Sequence, residues 1–234
     1  MPDRTRQLLA VLVDADNIPA KYAEAIMDEI AGLGEPGLRR VYGDWSSDRL
    51  KPWANKVMQL GLVAHQETAN TKGKNASDIG LVIDAMDILH TGRFDAFVLV
   101  SSDSDFTRLA SRIREEGLDV IGIGEGKAPE ALRNVCNRFI MIENLIDEPA
   151  PKGQPAAKKA KPIDAMPLIA RAMDRMDQDG DWFALGALGS TITAEVPDFD
   201  TRTYGKRKLS DLVRDIARLE TKMDGTQMMV RRRD

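Results

Sequence analysis

From Leu8 to about Leu145, short apolar runs alternate with longer amphipathic stretches. The runs "LLAVLVD", "LRRVYGDW", "GLVAHQE", "AFVLVSSD", "DVIGIGE" and "FIMIENL" have the length and near-continuous apolar character of strands buried on both faces. Between them, Pro19–Ala31, Asp48–Gln59, Ala76–Leu89, Phe106–Glu116 and Pro129–Asn137 repeat apolar residues at helical spacing. Pro19 suits a first helical turn, and Gly32, Gly61, Gly92 and Gly117 stand where helices are expected to stop. Regular alternation of this kind predicts a mainly parallel sheet covered on both faces, an α/β sandwich of three layers.

The pattern then breaks. "DEPAPKGQPAAKKAKP" is rich in Pro, Ala and Lys and has no apolar periodicity, which predicts a linker over 148–162. Beyond it, "MPLIARAMDRM" and "KLSDLVRDIARLE" read as amphipathic helices and "TQMMVRRR" as a short terminal strand. A small helical or winged-helix-like module is expected over 163–234, after a larger body spanning 1–147, and each is of a size that folds alone. There is no internal repeat.

Composition narrows the class. The 234 residues are 43% hydrophobic and 30% charged, as in ordinary globular proteins. One cysteine, Cys136, excludes an internal disulfide framework and fits a cytoplasmic protein. No apolar segment approaches the roughly 20 residues of a membrane-spanning helix, and the N-terminal apolar run is too short for a signal peptide. The net charge of −4 is uneven: of 33 basic and 37 acidic residues, 16 and 13 fall in 151–234, leaving 17 and 24 in the body. An acidic body argues against wholesale electrostatic binding of nucleic acid by that part.

The body nevertheless gathers acids where a parallel sheet puts its ligands, beyond the carboxyl ends of the strands. Asp14, Asp16 and Asn17 follow the first strand, and Asp103 and Asp105 follow "AFVLV". Asp78 falls near the start of a helix that points back at that edge. A lone aspartate after a strand ordinarily caps the next helix. Several together are another matter, since each like-charged pair at ~4 Å costs roughly 4 kcal/mol at an effective dielectric of 20. They need protons or a cation to stay together. His65 and His90 are the only histidines, so a zinc cluster is excluded, and oxygen-only ligation suits Mg²⁺ or Mn²⁺. Such a site fits phosphoryl or phosphodiester chemistry, in which the metal neutralises phosphate charge and lowers the pKa of a bound water. No "GxSxG" elbow competes, and "GIGEG" lacks the spacing of a dinucleotide fingerprint.

With "VDADN", "KGKNASDIGLVIDAM" and "SSDSDFTRLASRIREEGLDVIGIGEG" in that order, residues from about Leu8 to Leu145 resemble the NYN domains of the PIN-like nuclease superfamily. The resemblance implies a three-layer sandwich whose clustered aspartates bind Mg²⁺ or Mn²⁺ and cut RNA, leaving 5′-phosphate and 3′-hydroxyl ends. It assigns Asp14, Asp78, Asp103 and Asp105 as metal ligands, with Asn17 as the accompanying amide. The usual Ser-Gly-Asp of the family reads Ser101-Ser102-Asp103 here, and serine does not take a positive φ as readily as glycine. Asp84 lies about 240° round the helix from Asp78 and is the weaker candidate, as is Asp16. Lys72 and Lys74 are candidates to hold a phosphate.

The segment "DGDWFALGALGSTITAEVPDFDTRTYGKRKLSDLVRDI" resembles the OST-HTH (LOTUS) domain over about Ile163–Arg232. That implies RNA, single-stranded or structured, as a partner. Trp182, Phe183 and Phe199 are expected to fill a small core, while Lys206, Arg207 and Lys208 are the candidate phosphate contacts and Arg231–Arg233 a further basic stretch or a frayed tail. Many PIN-like proteins pair, so a homodimer is one expected assembly. The expectation is thus a metal-dependent RNA endonuclease with an RNA-binding appendix. Two alternatives stay open: a non-catalytic RNA-binding or scaffold protein, and a haloacid-dehalogenase-type phosphatase. "DAD" after the first strand echoes the phosphatase, but Asn17-Ile18-Pro19 follow instead of its hydroxyl pair.

Overall fold

The computed structural model describes residues 5–66, 76–146, 159–176 and 180–233, which fall into two compact units, 1–146 and 147–234.

In the first unit, six strands form one parallel sheet: β1 (Leu8–Asp14), β2 (Glu35–Gly43), β3 (Val63–Gln66), β4 (Ala96–Val100), β5 (Asp119–Gly124) and β6 (Arg138–Met141). Their spatial order is β3-β2-β1-β4-β5-β6. Five helices connect them: α1 (Ala23–Leu33), α2 (Lys51–Leu60), α3 (Ala76–His90), α4 (Thr107–Glu115) and α5 (Glu130–Val135). All seven residues of β1 are buried, because the strand is central and covered on both faces. Alternation divides its side chains. Leu9, Val11 and Val13 join Ile26 and Ile30 of α1 and Trp53 of α2, while Ala10 and Leu12 join Leu81, Ala85 and Ile88 of α3 and Leu109 and Ile113 of α4. Each fully buried Leu, Ile or Val contributes roughly 1.5–3 kcal/mol over leaving it exposed. The chain runs from β1 outward to β3, then returns along α3 to β4 on the other side of β1. The sheet order therefore reverses between β1 and β4, the point where open α/β sheets leave a crevice for ligands.

Three predicted starts, at Pro19, Asp48 and Phe106, are preceded or opened by single 3₁₀ turns, Ala20–Tyr22, Asp48–Leu50 and Ser104–Phe106, which tighten the entry of α1, α2 and α4. Gly61, Gly92 and Gly117 adopt positive φ after their helices, as expected. Gly32 does not stop its helix: α1 continues to Leu33, and Gly34 follows it.

The second unit has a 3₁₀ turn, Pro162–Ala165, then α6 (Met166–Arg175), β7 (Phe183–Ala184), α7 (Leu185–Glu195), α8 (Leu209–Arg214), β8 (Leu219–Asp224) and β9 (Gln227–Arg232). The strands form an antiparallel sheet, β7-β9-β8. Ile169, Leu188, Ile192, Leu212, Val213, Ile216 and Val230 make the core. The helix expected through Glu220 ends instead at Arg214. Leu219 and Glu220 pair with Arg232 and Arg231 as strand, so ladder bonding overrides a spacing that also suits a helix. Phe183 and Phe199 pack against the core as expected. Trp182 instead stands half-buried, with Lys222 Nζ 4.2 Å and Arg231 Cζ 4.7 Å from its ring centre. Among the described residues no helix is long and apolar enough to cross a membrane.

Candidate active site

β1 ends in Asp14, only 1% exposed and bonded on both carboxylate oxygens. Oδ1 accepts the backbone N–H groups of Asp16 (3.1 Å) and Asn17 (3.2 Å). Oδ2 accepts Asn17 Nδ2 at 2.6 Å and the Ser101 hydroxyl at 2.8 Å. An ionised carboxylate offers about four acceptor positions, and here four donors meet them. Burial pushes the Asp14 pKa above the ordinary carboxylate value, against the pull of the bonds from Asn17 and Ser101.

Ser101 is the hinge between the two halves of the site. The β1–β4 register pairs Val13 with Val100, so Asp14 and Ser101 are the next residues along adjacent strands. The Ser101 hydroxyl donates to Asp14 and accepts the backbone N–H of Asp103 at 3.1 Å, tying the two strand ends together. Ser102 replaces the glycine usual at this point without strain, since no described non-glycine residue has positive φ. Its hydroxyl accepts the Glu125 N–H at 2.8 Å, pinning the loop to the end of β5. The close approach falls on Gly124, where a Cβ would lie 2.5 Å from the Ser101 carbonyl oxygen.

Asp103 caps the 3₁₀ turn Ser104–Phe106, its Oδ1 accepting the Asp105 N–H at 2.9 Å. A cap takes one acceptor position of about four, so capping and ligation are compatible. Asp78 enters from the first turn of α3. One carboxylate oxygen from each of Asp78, Asp103 and Asp105 lies within 4.8 Å of the others. Oxygens bound to one Mg²⁺ at about 2.1 Å in an octahedron stand roughly 3 to 4.2 Å apart, so a slight contraction closes this set round a single ion. The donors fit a hard divalent cation in both chemistry and spacing. The group is also mutually repulsive: Asp78 is pushed up to about 6, first by burial and then by the charges of Asp14, Asp103, Asp105 and Asp16.

The remaining candidates separate. Asp14 adjoins the trio, raising the pKa of Asp78, but its oxygens fall outside the group of three. Asp16 turns to Arg49, whose Nη2 stands 2.6 Å from its Oδ1. Asp84 belongs to a different network: Arg40 donates to its Oδ1, the Tyr42 hydroxyl to its Oδ2, and His65 Nδ1 lies 4.0 Å away. Lys72 and Lys74 lie outside the described residues. In the second unit, Lys206 pairs with Asp215, so its charge is committed, whereas Arg207 and Lys208 are exposed. Arg231 pairs with Glu220 and Arg232 with Asp174, and the strand they belong to is no frayed tail. The residues missed by pattern are Ser101 and Arg49. Ser101 is legible only once β1 and β4 are known to be neighbours, and Arg49 had no signal at all.

A crystal structure of a protein of unknown function from Vibrio parahaemolyticus superposes with a TM-score of 0.52 at 19% identity, covering 61% of this chain and 96% of its own. That likeness concerns the fold alone. MurG of Acinetobacter baumannii aligns at 12% identity with a TM-score of 0.39, over 90% of this chain and 70% of its own, too low to carry an argument. No curated protein matches significantly. The family model of the NYN domain matches residues 8–143, and that of the OST-HTH/LOTUS domain matches residues 160–230. The chain thus belongs to the NYN domain family of the PIN-like nuclease superfamily and carries an OST-HTH/LOTUS domain after it.

Proposed function

We propose that this protein is a divalent-metal-dependent RNA endonuclease whose second unit binds RNA. The observation that carries the proposal is the convergence of Asp78, Asp103 and Asp105 at the sheet's switch point in an NYN domain. These three would hold Mg²⁺ or Mn²⁺. When bound, the cation supplies charge neutralisation for the phosphodiester and a water of lowered pKa. Asp14 adds negative charge and, through Asn17 and Ser101, holds the β1 and β4 ends in register. It becomes a ligand only if Oδ2 gives up one of those two donors. Without a cation the carboxylates repel an approaching phosphate, so cleavage is metal-dependent on electrostatic grounds alone. In the second unit Arg207 and Lys208 contact phosphates.

A phosphatase acting through Asp14 as nucleophile is disfavoured by its burial and by its four hydrogen bonds. The test is labelled single-stranded RNA incubated with Mn²⁺ or Mg²⁺. Cleavage to 5′-phosphate and 3′-hydroxyl ends is expected, and its loss in the Asp14→Asn, Asp103→Asn double variant. No cleavage under either metal, or equal cleavage by the variant, returns the protein to a non-catalytic RNA binder.

A further inference from the structure

The turn that carries Asp14 is also the wall of a cavity. Residues Ala15–Lys21 and the entry to α2 line a solvent-open hollow of about 410 Å³, within the roughly 300–1,000 Å³ of small-molecule sites. Pro19 and Pro52 give it exposed apolar surface backed by the buried Ile18 and Trp53, and Asp16, Lys21 and Arg49 supply charge. The wall is rigid: the Trp53 indole N–H donates to the Ile18 carbonyl at 2.7 Å, and Ile18 N–H donates to the Asp14 carbonyl at 3.0 Å. Asn17, which holds the Asp14 carboxylate, lines the same cavity.

We propose that this cavity is a nucleotide subsite, taking one unstacked base of single-stranded RNA while Arg49 holds the adjoining phosphate. The identity of the ligand rests on the nuclease reading; the cavity and its chemistry do not. An apolar slot accepts the face of a base, and bases can leave the stack freely only in single strands. A guanidinium matches two phosphate oxygens as it matches a carboxylate. Arg49 is 67% exposed and rests on Asp16, itself 17% exposed. An ion pair exposed on its cationic side is weak, so a phosphate can replace the Asp16 carboxylate at small cost. This gives Asp16 a role distinct from that of Asp14: it keeps the arginine at the cavity until RNA arrives. It also ties cleavage to unpaired RNA, since a base locked in a duplex cannot enter.

The experiment is an NMR titration of the full-length protein in Mg²⁺, which offsets the charge of the neighbouring carboxylates, with each of the four nucleoside 5′-monophosphates and with inorganic phosphate. The Trp53 indole N–H reports the cavity, and the Trp182 indole N–H in the second unit is the control. At least one nucleotide shifts Trp53 saturably, phosphate alone shifts it less, and Arg49→Ala weakens the nucleotide about tenfold while leaving the remaining spectrum in place. Arg49→Lys recovers part of the loss. The proposal is overturned if no nucleotide moves Trp53, if phosphate alone reproduces the whole shift, or if Arg49→Ala binds equally well. RNA cleavage measured in parallel separates the two readings. A silent Trp53 beside Asp103-dependent cleavage removes the subsite alone. A responsive Trp53 without cleavage under any metal keeps the subsite and removes the nuclease.

Discussion

Replacing Asp78 with Asn should stabilise the protein while disabling its metal site. The Asp78 carboxyl is raised from 3.8 to about 6 by partial burial and by four neighbouring aspartates. At about 1.4 kcal/mol per unit the rise corresponds to about 3 kcal/mol. The group is half exposed, and solvent screening brings this down to about 1–2 kcal/mol. The sign follows from proton uptake. Below about pH 6 the folded protein binds a proton at Asp78 that the unfolded chain takes up only near 3.8, so acidification over that window stabilises the wild type. Above pH 6 the ionised group is held against its neighbours and this stability is lost. Asn cannot ionise, so Asp78→Asn in EDTA at pH 7.5 should melt roughly 3–8 °C higher than the wild type, with the gap closing as pH falls toward about 4. The assay is thermal unfolding followed by tryptophan fluorescence in a Trp182→Phe background, so that Trp45 and Trp53 report the first unit alone. Saturating Mn²⁺ should then reverse the order, since a ligand at 100 times its Kd adds about 2.7 kcal/mol to the wild type and little to the variant. A variant no more stable than the wild type in EDTA, or equal stabilisation of both proteins by Mn²⁺, would refute this role for Asp78.

Ser101→Ala should lower stability by about 1–3 kcal/mol, because it leaves the Asp103 N–H without its acceptor and removes one of the two donors to Oδ2 of buried Asp14, with only Asn17 Nδ2 remaining there. Thermal melts and RNA cleavage rates should fall together. Asp84→Asn should do the opposite of Asp78→Asn: it weakens the bonds to Arg40 and Tyr42, lowering the melting temperature, while Mn²⁺ affinity measured by calorimetry stays unchanged. The Arg207→Ala, Lys208→Ala double variant should weaken RNA binding by the full chain. It should also flatten the dependence of log K on log salt by about 1.4, the value for two single-strand phosphate contacts.

The layered sandwich was legible because β1, β4 and β5 are near-continuous apolar runs and the helices between them keep their spacing. Asp14, Asp78 and Asp103 were legible because each sits where such elements begin or end. Pattern did not say which strands are neighbours, and on that depends the bond from Ser101 to Asp14. Nor could it separate Asp14 from Asp16, two residues apart in one motif. Position on the sheet does: Asp14 stands over the β1–β4 switch point, and Asp16 stands beside β2, with an oxygen 3.6 Å from where a Cβ on Gly43 would lie. In the second unit, Leu212, Val213, Ile216 and Leu219 keep helical spacing across a chain reversal, so α8 was expected to run on until the ladder with β9 took Leu219. Trp182 looked like core because aromatic residues usually are, and nothing local foretold that Lys222 and Arg231 would cover its ring.

The most direct measurement is anomalous diffraction from crystals of the full chain soaked in Mn²⁺. A peak about 2.1 Å from oxygens of Asp78, Asp103 and Asp105, absent in Asp78→Asn crystals, is the result expected. No peak among the three carboxylates at saturating Mn²⁺, in crystals whose site is open to solvent, would contradict the account.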